Sequence, residues 1–372
     1  MRIGVPKEIK VHEYRVGLTP DSVREFTAHG HHVLVETQAG AGIGSSDDDY
    51  RAAGAEIAVM PATLFAQADM IVKVKEPQAV ERRMLRPNQI LFTYLHLAPD
   101  PDQTRDLVDS GAICIAYETV TDGHGGLPLL APMSQVAGRL SIQAGAAALE
   151  RAKGGRGILL GGVPGVAPAK VVVIGGGVVG ENAIYMALGM AADVTVLDRN
   201  VEVLARLARR FGAALKTVYS TKAALEDYVL QADLVVGGVL VAGAEAPKLV
   251  TRDMVRRMKR GSVLVDVAID QGGCFETSHP TTHAEPTYVV DGVVHYCVAN
   301  MPGAVPNTST YALNNVTLPY ALALADKGYK KALLEDTNFL AGLNVCGGKI
   351  TYKAVADDLG YEYVDPRAAL AG

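Results

Sequence analysis

The chain has 372 residues, of which 49% are apolar and 20% are charged, and its formal net charge is −5 with an isoelectric point near 6.0. This composition is typical of a globular chain of about two domains and argues against disordered and fibrous proteins. The chain has no basic stripe and no long uninterrupted apolar run, which argues against nucleic-acid binding and against a membrane span.

Short β-branched runs alternate with helical patterns in the first third of the chain. The alternation predicts a parallel sheet covered by helices. Thr19 followed by Pro20 predicts a helix start, because threonine caps unpaired N–H groups and proline suits the first helical position. The candidate strands are residues 3–5, 33–36, 70–75, 90–96 and 113–118.

A second set of elements follows a long helical segment at residues 131–153 and a loop rich in glycine and proline. A further long helix is expected within residues 302–327, and residues 328–372 are expected to pack back on the first set. The helices of the second set are expected to begin near Gly180, Asn200 and Thr251. Its candidate strands are residues 171–174, 194–197, 234–239, 263–267 and 295–298.

The two sets share a pattern that predicts the domain organisation. Residues 68–75 and 232–236 both begin with Ala-Asp before an apolar strand, which predicts an α/β fold of two doubly wound Rossmann-like domains, one of them without a glycine turn. Residues 1–130 with 306–372 would form a substrate domain, and residues 131–305 an NAD-binding domain. Because ligands of such sheets bind beyond the carboxyl ends of the strands, we expect an inter-domain cleft.

The strongest single motif is the pattern G-x-G-x-x-G at Gly175, Gly177 and Gly180, which follows a predicted strand and precedes a predicted helix. These glycines allow a tight turn and a close approach of the backbone to a pyrophosphate, and the helix N-terminus attracts the phosphates. The next strand ends at Asp198, whose carboxylate would bind a ribose diol and repel a 2′-phosphate, which favours NAD over NADP. Arg199 is the counterargument, because a guanidinium could meet a 2′-phosphate.

Three polar residues at the ends of predicted strands suit the chemistry of hydride transfer: Lys75, His96 and Asp270. The ordinary pKa of histidine makes His96 a candidate acid and base near neutral pH. Lys75 and Arg15 could hold a substrate carboxylate, and Asp270 could accept hydrogen bonds from an amine or a ribose. The expected cleft would gather the strand-end residues, although spacing alone also fits structural or surface roles for each of them.

The cysteines and one histidine cluster carry no metal or disulfide signal. The cysteines lack C-x-x-C spacing, which argues against a zinc site and a disulfide framework and favours a cytoplasmic location. The histidines at positions 29, 31 and 32 precede a strand and are interpreted as solvated surface. The four cysteines are Cys114, Cys274, Cys297 and Cys346.

Six short segments carry a family resemblance over nearly the whole chain, from residue 1 to about residue 365. They are GVPKE at 4–8, EYRVGLTP at 13–20, VKEP at 74–77, YLHL at 94–97, DVAIDQGG at 266–273 and YCVANMPG at 296–303. Together they resemble the family of alanine dehydrogenase and of the NAD(H)-binding part of proton-translocating nicotinamide nucleotide transhydrogenase, with the closer match to the dehydrogenases.

The resemblance implies reversible, NAD-dependent oxidative deamination of L-alanine to pyruvate and ammonium. It implies that Arg15 and Lys75 hold the substrate, that His96 is the general acid and base, and that Asp270 assists proton transfer and orients the amine. The family is typically a homohexamer, so we expect a homo-oligomer. The residues that match NAD-contacting positions are Ser134, Val178, Val179, Asp198, Ser220, Val239, Leu240, Val267, Ala268, Ile269, Asp270, Val298, Ala299, Asn300 and Met301.

The chain departs from the family pattern at a few positions. His279 stands where relatives can carry an arginine that touches the cofactor, and Val203 where some carry a basic residue near the adenosine, so the resemblance does not carry these two contacts over to this chain. Ala323 and Lys327 replace an acidic residue and a histidine that form a metal pair in some relatives, so we predict no metal.

Two alternatives remain open at this point. One is an NAD(H)-binding soluble subunit of a proton-translocating transhydrogenase, which passes hydride to another domain. The other is a non-catalytic, NAD-binding oligomer. The joint presence of Arg15, Lys75 and His96 favours a self-contained dehydrogenase.

Overall fold

The computed structural model describes residues 1–239 and 246–371. The chain divides into two compact units: the first unit joins Met1–Met133 to Val305–Gly372, and the second unit is Ser134–Ala304. The second unit is therefore inserted between two segments of the first. Among the described helices, none is long and apolar enough to cross a membrane.

Helices and strands alternate along most of the described chain. The N-terminal segment contains β1 (Arg2–Val5), α1 (Pro20–Ala28), β2 (His32–Glu36), α2 (Asp47–Ala52), β3 (Glu56–Ala58), α3 (Pro61–Gln67), β4 (Met70–Val72), α4 (Ala79–Arg82), β5 (Ile90–Thr93), α5 (Pro101–Ser110) and β6 (Ile113–Ala116). Next come α6 (Ala131–Ala148), β7 (Lys170–Ile174), α7 (Val178–Gly189), β8 (Asp193–Asp198), α8 (Val201–Phe211), β9 (Leu215–Tyr219), α9 (Lys222–Gln231), β10 (Leu234–Gly237), α10 (Arg252–Arg257), β11 (Val263–Asp266), β12 (Thr287–Val290) and β13 (Val293–Tyr296). The C-terminal segment contains α11 (Pro306–Lys327), α12 (Tyr329–Glu335), α13 (Thr337–Leu340), β14 (Leu343–Cys346), β15 (Lys349–Ile350), α14 (Lys353–Leu359) and α15 (Pro366–Ala371).

The sheet of the first unit is doubly wound. Its parallel strands lie in the order β3-β2-β1-β4-β5-β6, and β14 and β15 extend the sheet beyond β6 in antiparallel pairing. Every residue of β4, β5 and β6 is buried. Strands covered by helices on both faces are apolar throughout, which explains the continuous apolar runs in the sequence.

The sheet of the second unit repeats this strand order. Its parallel strands lie in the order β9-β8-β7-β10-β11-β13, and β12 pairs antiparallel at the edge beside β13. The prediction of two doubly wound Rossmann-like units is therefore confirmed. In each sheet the strand order reverses at one point, between β1 and β4 in the first unit and between β7 and β10 in the second, and such switch points are where ligands bind.

Several predicted strands are shorter than the sequence suggested. β4 ends at Val72 instead of residue 75, β5 at Thr93 instead of residue 96, and β10 at Gly237 instead of residue 239. Beyond β4 and β5 one more backbone N–H group, that of Lys73 and that of Tyr94, still donates to a backbone carbonyl across the sheet. The N–H groups of Val74 and His96 then donate to side-chain carboxylates. β-branched or aromatic residues continue past these points, so the sequence pattern does not mark the ends.

The C-terminal segment contributes a strand and a long helix to the first unit. β14 pairs with β6, and Asn314 of α11 accepts a hydrogen bond from the backbone N–H of Thr19 at 2.9 Å. The predicted cap at Thr19 is present, since its hydroxyl accepts from the N–H of Ser22.

One of the three histidines near the start of β2, His31, is less exposed than the sequence suggested. The side chain of His31 is only 9% exposed, and the rings of His29 and His31 both bond the carboxylate of Asp326 on α11, at 2.9 and 2.7 Å. The interpretation as solvated surface was therefore wrong for His31, because a long-range acidic partner covers it.

A buried ion cluster lies at the switch point of the first sheet. The ammonium of Lys73 is fully buried and contacts Glu8 at 3.1 Å and Glu81 at 2.8 Å. Burial lowers the pKa of Lys73, but the two carboxylates raise it by more, so the net direction is upward and the side chain stays charged. Glu8 also accepts from the backbone N–H of Val74 at 2.7 Å, so the cluster holds the turn that follows β4.

Replacing Lys73 with methionine will destabilise the first unit. The substitution leaves two buried carboxylates without their cation, which costs about 3–5 kcal/mol of unfolding free energy. Urea denaturation followed by circular dichroism measures the change. Lys353→Met is the matched control, because that lysine pairs with Asp357 on the surface and contributes little. Equal unfolding midpoints for the two variants would contradict the prediction.

Candidate functional site

The glycine turn of the second unit follows β7 at the switch point of its sheet. Gly175 has a φ of +93°, in the left-handed region that favours glycine. A Cβ atom placed on Gly180 would lie 1.8 Å from the carbonyl oxygen of Gly175, so only glycine lets α7 sit this close to the turn. A Cβ on Gly177 would meet no described atom within 4 Å, which leaves the backbone open on the side where a ligand would approach.

Asp198, at the end of β8, is hydrogen-bonded to the glycine turn. Its carboxylate accepts from the backbone N–H of Gly176 and from that of Asn200, each at 2.7 Å. The backbone N–H of Ser220 donates to the Asp198 carbonyl at 3.0 Å. Each carboxylate oxygen has a second lone pair for a ligand hydroxyl. Arg199 is exposed beside it.

Other predicted cofactor residues surround the same turn. Val178 and Val179 begin α7, and a Cβ on Gly238 would lie 3.1 Å from the Val179 side chain. Gly138 of α6 lies so close to α7 that a Cβ placed on it would be 2.2 Å from the Val179 carbonyl oxygen. The helix that carries Ser134 therefore packs directly beside α7. Val239 lies 3.0 Å from a Cβ placed on Gly175. Leu240 lies outside the described residues.

The loop after β11 carries the next group of predicted residues. Val267–Gln271 forms a 3₁₀ helix that contains Ala268, Ile269 and Asp270, and the side chain of Asp270 is exposed. Beyond β13, Val298 bridges to Thr281, and Asn300 has a φ of +61° before a 3₁₀ helix over Met301–Ala304. All of these segments follow parallel strands of one sheet, so they share its carboxyl edge.

Sequence reasoning gave Asp266 no role, although it organises the loop that carries Asp270. Its buried carboxylate accepts from the backbone N–H of Ala268, Cys274 and Phe275 and from the Ser278 hydroxyl. Burial raises the pKa of Asp266 above its usual value, against the opposing effect of these hydrogen bonds. The signal that could have found it is an aspartate at the end of an apolar strand before a glycine pair.

His279 stands at the position where relatives can carry an arginine, and its side chain packs on Tyr288 of β12. Its ring stacks on Tyr288, with 3.7 Å between the ring centroids, and its backbone N–H donates to the Tyr288 hydroxyl at 2.9 Å. Tyr288 stacks in turn on the buried ring of His295, with 5.0 Å between centroids. Burial lowers the pKa of His295 to about 4, so this histidine is neutral at pH 7.

In the first unit, Arg15 is buried and paired. It is 2% exposed, and its guanidinium donates to both carboxylate oxygens of Glu13, at 2.6 and 2.5 Å, and to the Met133 sulfur at 3.0 Å. Burial lowers the pKa of Arg15, but the hydrogen bond and charge of Glu13 outweigh it and the net direction is upward. No pattern in the sequence indicates that Glu13 pairs with the arginine two positions later.

Lys75 follows β4, and His96 follows β5, which is the neighbouring strand in the sheet. A hydrogen bond joins the segments in which the two residues lie. The Thr93 hydroxyl donates to the Lys75 carbonyl at 2.9 Å. Tyr94 lies with its ring centroid 5.9 Å from that of His96, and the charge of Arg15 acts on its hydroxyl. In the first unit Arg15 and His96 therefore both lie near Tyr94, and Lys75 is bonded to the neighbouring Thr93, whereas Asp270 belongs to the second unit.

The second unit fits a dinucleotide. An open glycine turn, a helix N-terminus and a strand-end carboxylate are the three parts that bind pyrophosphate and ribose. Among the described residues, no group of three or more histidine, cysteine or acidic side chains is arranged to hold a metal ion.

Comparison with known proteins finds similarity along the whole chain. Residues 4–137 match the family model "Alanine dehydrogenase/PNT, N-terminal domain", and residues 141–353 match "Alanine dehydrogenase/PNT, C-terminal domain". The chain is 64% identical to the alanine dehydrogenase of Halomonas elongata over all of both chains, and 56% identical to that of Bacillus subtilis over all of this chain and 98% of the relative. A solved structure of L-alanine dehydrogenase is similar with a TM-score of 0.94 and 53% identity, covering 97% of this chain and 99% of that one.

Gly180→Ala will weaken dinucleotide binding, because the added methyl group pushes α7 away from the turn. Overpacking of this kind costs about 1–3 kcal/mol, which corresponds to a rise of about 5- to 150-fold in the Kd for NADH. Fluorescence titration measures it. Gly189→Ala is the matched control on the same helix, since a Cβ there meets no described atom within 4 Å. Equal NADH affinity in the two variants would count against a turn that binds the pyrophosphate.

Proposed function

The chain belongs to the alanine dehydrogenase/PNT family, and from that premise we propose that it catalyses the reversible oxidative deamination of L-alanine with NAD. The reaction converts L-alanine, NAD⁺ and water into pyruvate, ammonium, NADH and a proton. The observation that carries the proposal is full-length similarity to alanine dehydrogenases, in a chain with an open glycine turn ahead of Asp198 in one unit and Arg15, Lys75 and His96 in the other.

The family uses a nicotinamide dinucleotide, and we propose NAD as the cofactor and residues 131–305 as the NAD-binding domain. The residues that would hold it are the turn at Gly175, Gly177 and Gly180, the carboxylate of Asp198, and the strand-end segments at 267–270 and 298–301. When bound, the nicotinamide accepts a hydride from the substrate α-carbon, or returns it in the reverse direction. The carboxylate of Asp198 supports NAD over NADP because a 2′-phosphate beside it would meet a fixed negative charge.

The first unit would hold and protonate the substrate. The guanidinium of Arg15 and the ammonium of Lys75 suit the carboxylate and carbonyl of pyruvate. Loss of hydride and a proton from L-alanine gives an imine, water adds to form a carbinolamine, and collapse releases pyruvate and ammonium. His96 would move the proton on the carbinolamine oxygen, and the exposed carboxylate of Asp270 would orient the amine.

The assembly state and the cellular location are two further proposals for this chain. We infer a homohexamer from the family resemblance, and sedimentation velocity of the purified chain tests it, with a monomer as the contradicting result. The four cysteines are buried free thiols, which supports a reducing, cytoplasmic location.

His96→Ala will lower kcat for L-alanine oxidation by about 10²- to 10⁴-fold, the usual contribution of a general acid or base. The affinity for NADH will stay within about twofold of the wild type, which is the usual variation for a substitution at a distant, independent site. NADH absorbance and fluorescence titration give the two values. His124→Ala, which replaces an exposed histidine of the same unit, is the control.

A panel of small amino acids in the same assay separates a dehydrogenase from a transhydrogenase subunit, which would turn over none of them.

Asp198→Ala will shift cofactor preference towards NADP. Loss of a charged hydrogen bond to the ribose costs about 1.5–3 kcal/mol and weakens NAD binding by about 10- to 150-fold, while the repulsion of a 2′-phosphate disappears. The ratio of kcat/KM for NAD to that for NADP is the readout. Asp193→Ala, at the opposite end of β8 and paired with Lys216, should leave the ratio unchanged; a drop there as large as in Asp198→Ala would argue against a ribose-specific role.

A further inference from the structure

His96 has an unusual backbone conformation. Its φ is +51°, in the left-handed region that residues with a Cβ rarely adopt without support from their surroundings. It lies three positions beyond the end of β5 at Thr93, and its side chain is exposed. Something must therefore stabilise the strand end in this conformation.

The support comes from Glu118. This residue lies in the 3₁₀ turn Tyr117–Thr119, directly after β6, and β6 pairs with β5 in a register that places Ala116 opposite Thr93. The carboxylate of Glu118 accepts from the backbone N–H of His96 at 2.6 Å and from that of Leu95 at 3.1 Å. A carboxylate that accepts two adjacent N–H groups fixes the backbone at both residues, and charge-assisted bonds of this kind are short and strong.

The backbone just before Leu95 and His96 is also held in place, by contacts of Tyr94. Tyr94, which precedes this pair, is buried, and its hydroxyl donates to the Leu129 carbonyl at 2.6 Å. The ring of Tyr94 packs edge-on against Tyr117, the residue before Glu118, with 5.0 Å between centroids. The peptide units at 95 and 96 are thus held between a fixed tyrosine and a fixed carboxylate.

We propose that Glu118 is a positioning residue for His96: by accepting from the N–H groups of residues 95 and 96, it holds the histidine in the left-handed conformation that presents the imidazole to the substrate. This inference rests on the proposed role of His96 as acid and base. Glu118 itself touches no reacting atom in this scheme. Its effect on the reaction passes through the backbone of His96.

The same device occurs elsewhere in the first unit and supplies a matched control. Gln38 has a φ of +61°, and its backbone N–H donates to the carboxylate of Asp47 at 2.7 Å. Asp47→Asn therefore weakens the support of another left-handed residue, one with no place in the proposed chemistry. Any effect of Glu118 substitutions that Asp47→Asn lacks belongs to His96 and not to loop stability in general.

The test is a double-mutant cycle on the full-length enzyme. Glu118→Ala should lower kcat for L-alanine oxidation by about 100-fold, the scale expected when a reacting group is misplaced by about 1 Å. Glu118→Gln keeps one acceptor oxygen and should retain more activity than Glu118→Ala. NADH affinity, measured by fluorescence, should be unchanged in both, and Asp47→Asn should keep wild-type kcat. In a His96→Ala background, Glu118→Ala should cost less than about threefold more, because residues that act as a unit are not additive.

Each outcome decides the matter. Wild-type kcat in Glu118→Ala, with His96→Ala inactive, would overturn the inference and leave the proposed function standing. Wild-type kcat in His96→Ala would overturn the acid–base role on which this inference rests, whereas no turnover of any small amino acid by the wild type would overturn the proposed function. A loss from Glu118→Ala that is just as large without the histidine would show that Glu118 acts independently of it. If Glu118→Ala does not fold, Glu118→Gln alone and with His96→Ala gives the same cycle, with smaller steps expected.

Discussion

The chemistry of both units depends on backbone N–H groups that lie just past the end of a parallel strand. There the regular pairing of the sheet comes to an end, and an N–H group buried without an acceptor is costly. This chain meets the constraint with carboxylates. Glu8 accepts from Val74, Glu118 from His96, Asp198 from Gly176 and Asp266 from Cys274. In the first three pairs the acceptor and the donor follow different strands, whereas Asp266 and Cys274 belong to the single connection after β11. Each bond fixes a loop that carries a proposed site residue.

The two sheets have the same strand order but fill their switch points differently. In the second unit a glycine turn leaves the space beside β7 open, which suits a bound pyrophosphate. In the first unit the segment after β1 brings Glu8 to Lys73, and the resulting ion cluster occupies the corresponding place. One fold therefore gives two arrangements at its switch point: an open glycine turn in one copy, and in the other an ion cluster that holds the backbone just before Lys75.

The sequence predicted what depends on local residue types. The glycine spacing, Asp198 at a strand end and the Thr19 cap are visible because each works within a few positions of its own element. The strand ends were placed too late because their true limits depend on partners far along the chain: Glu8 reaches Val74 across 66 positions, and Glu118 reaches His96 across 22. The same holds for Asp326, which covers His31 from α11, and for β14, whose short pattern gave no sign that it would extend the first sheet.

The insertion of the second unit into the first also sets the order in which the two can be completed on the ribosome. All of the second unit has been synthesised once residue 304 is made, whereas the first unit still waits for α11, which bonds Thr19, and for β14, which pairs with β6. At a synthesis rate of about 5–20 residues per second this gap lasts several seconds. The edge of β6 stays without its partner strand throughout that interval, so the nascent chain carries an exposed sheet edge that the finished protein does not.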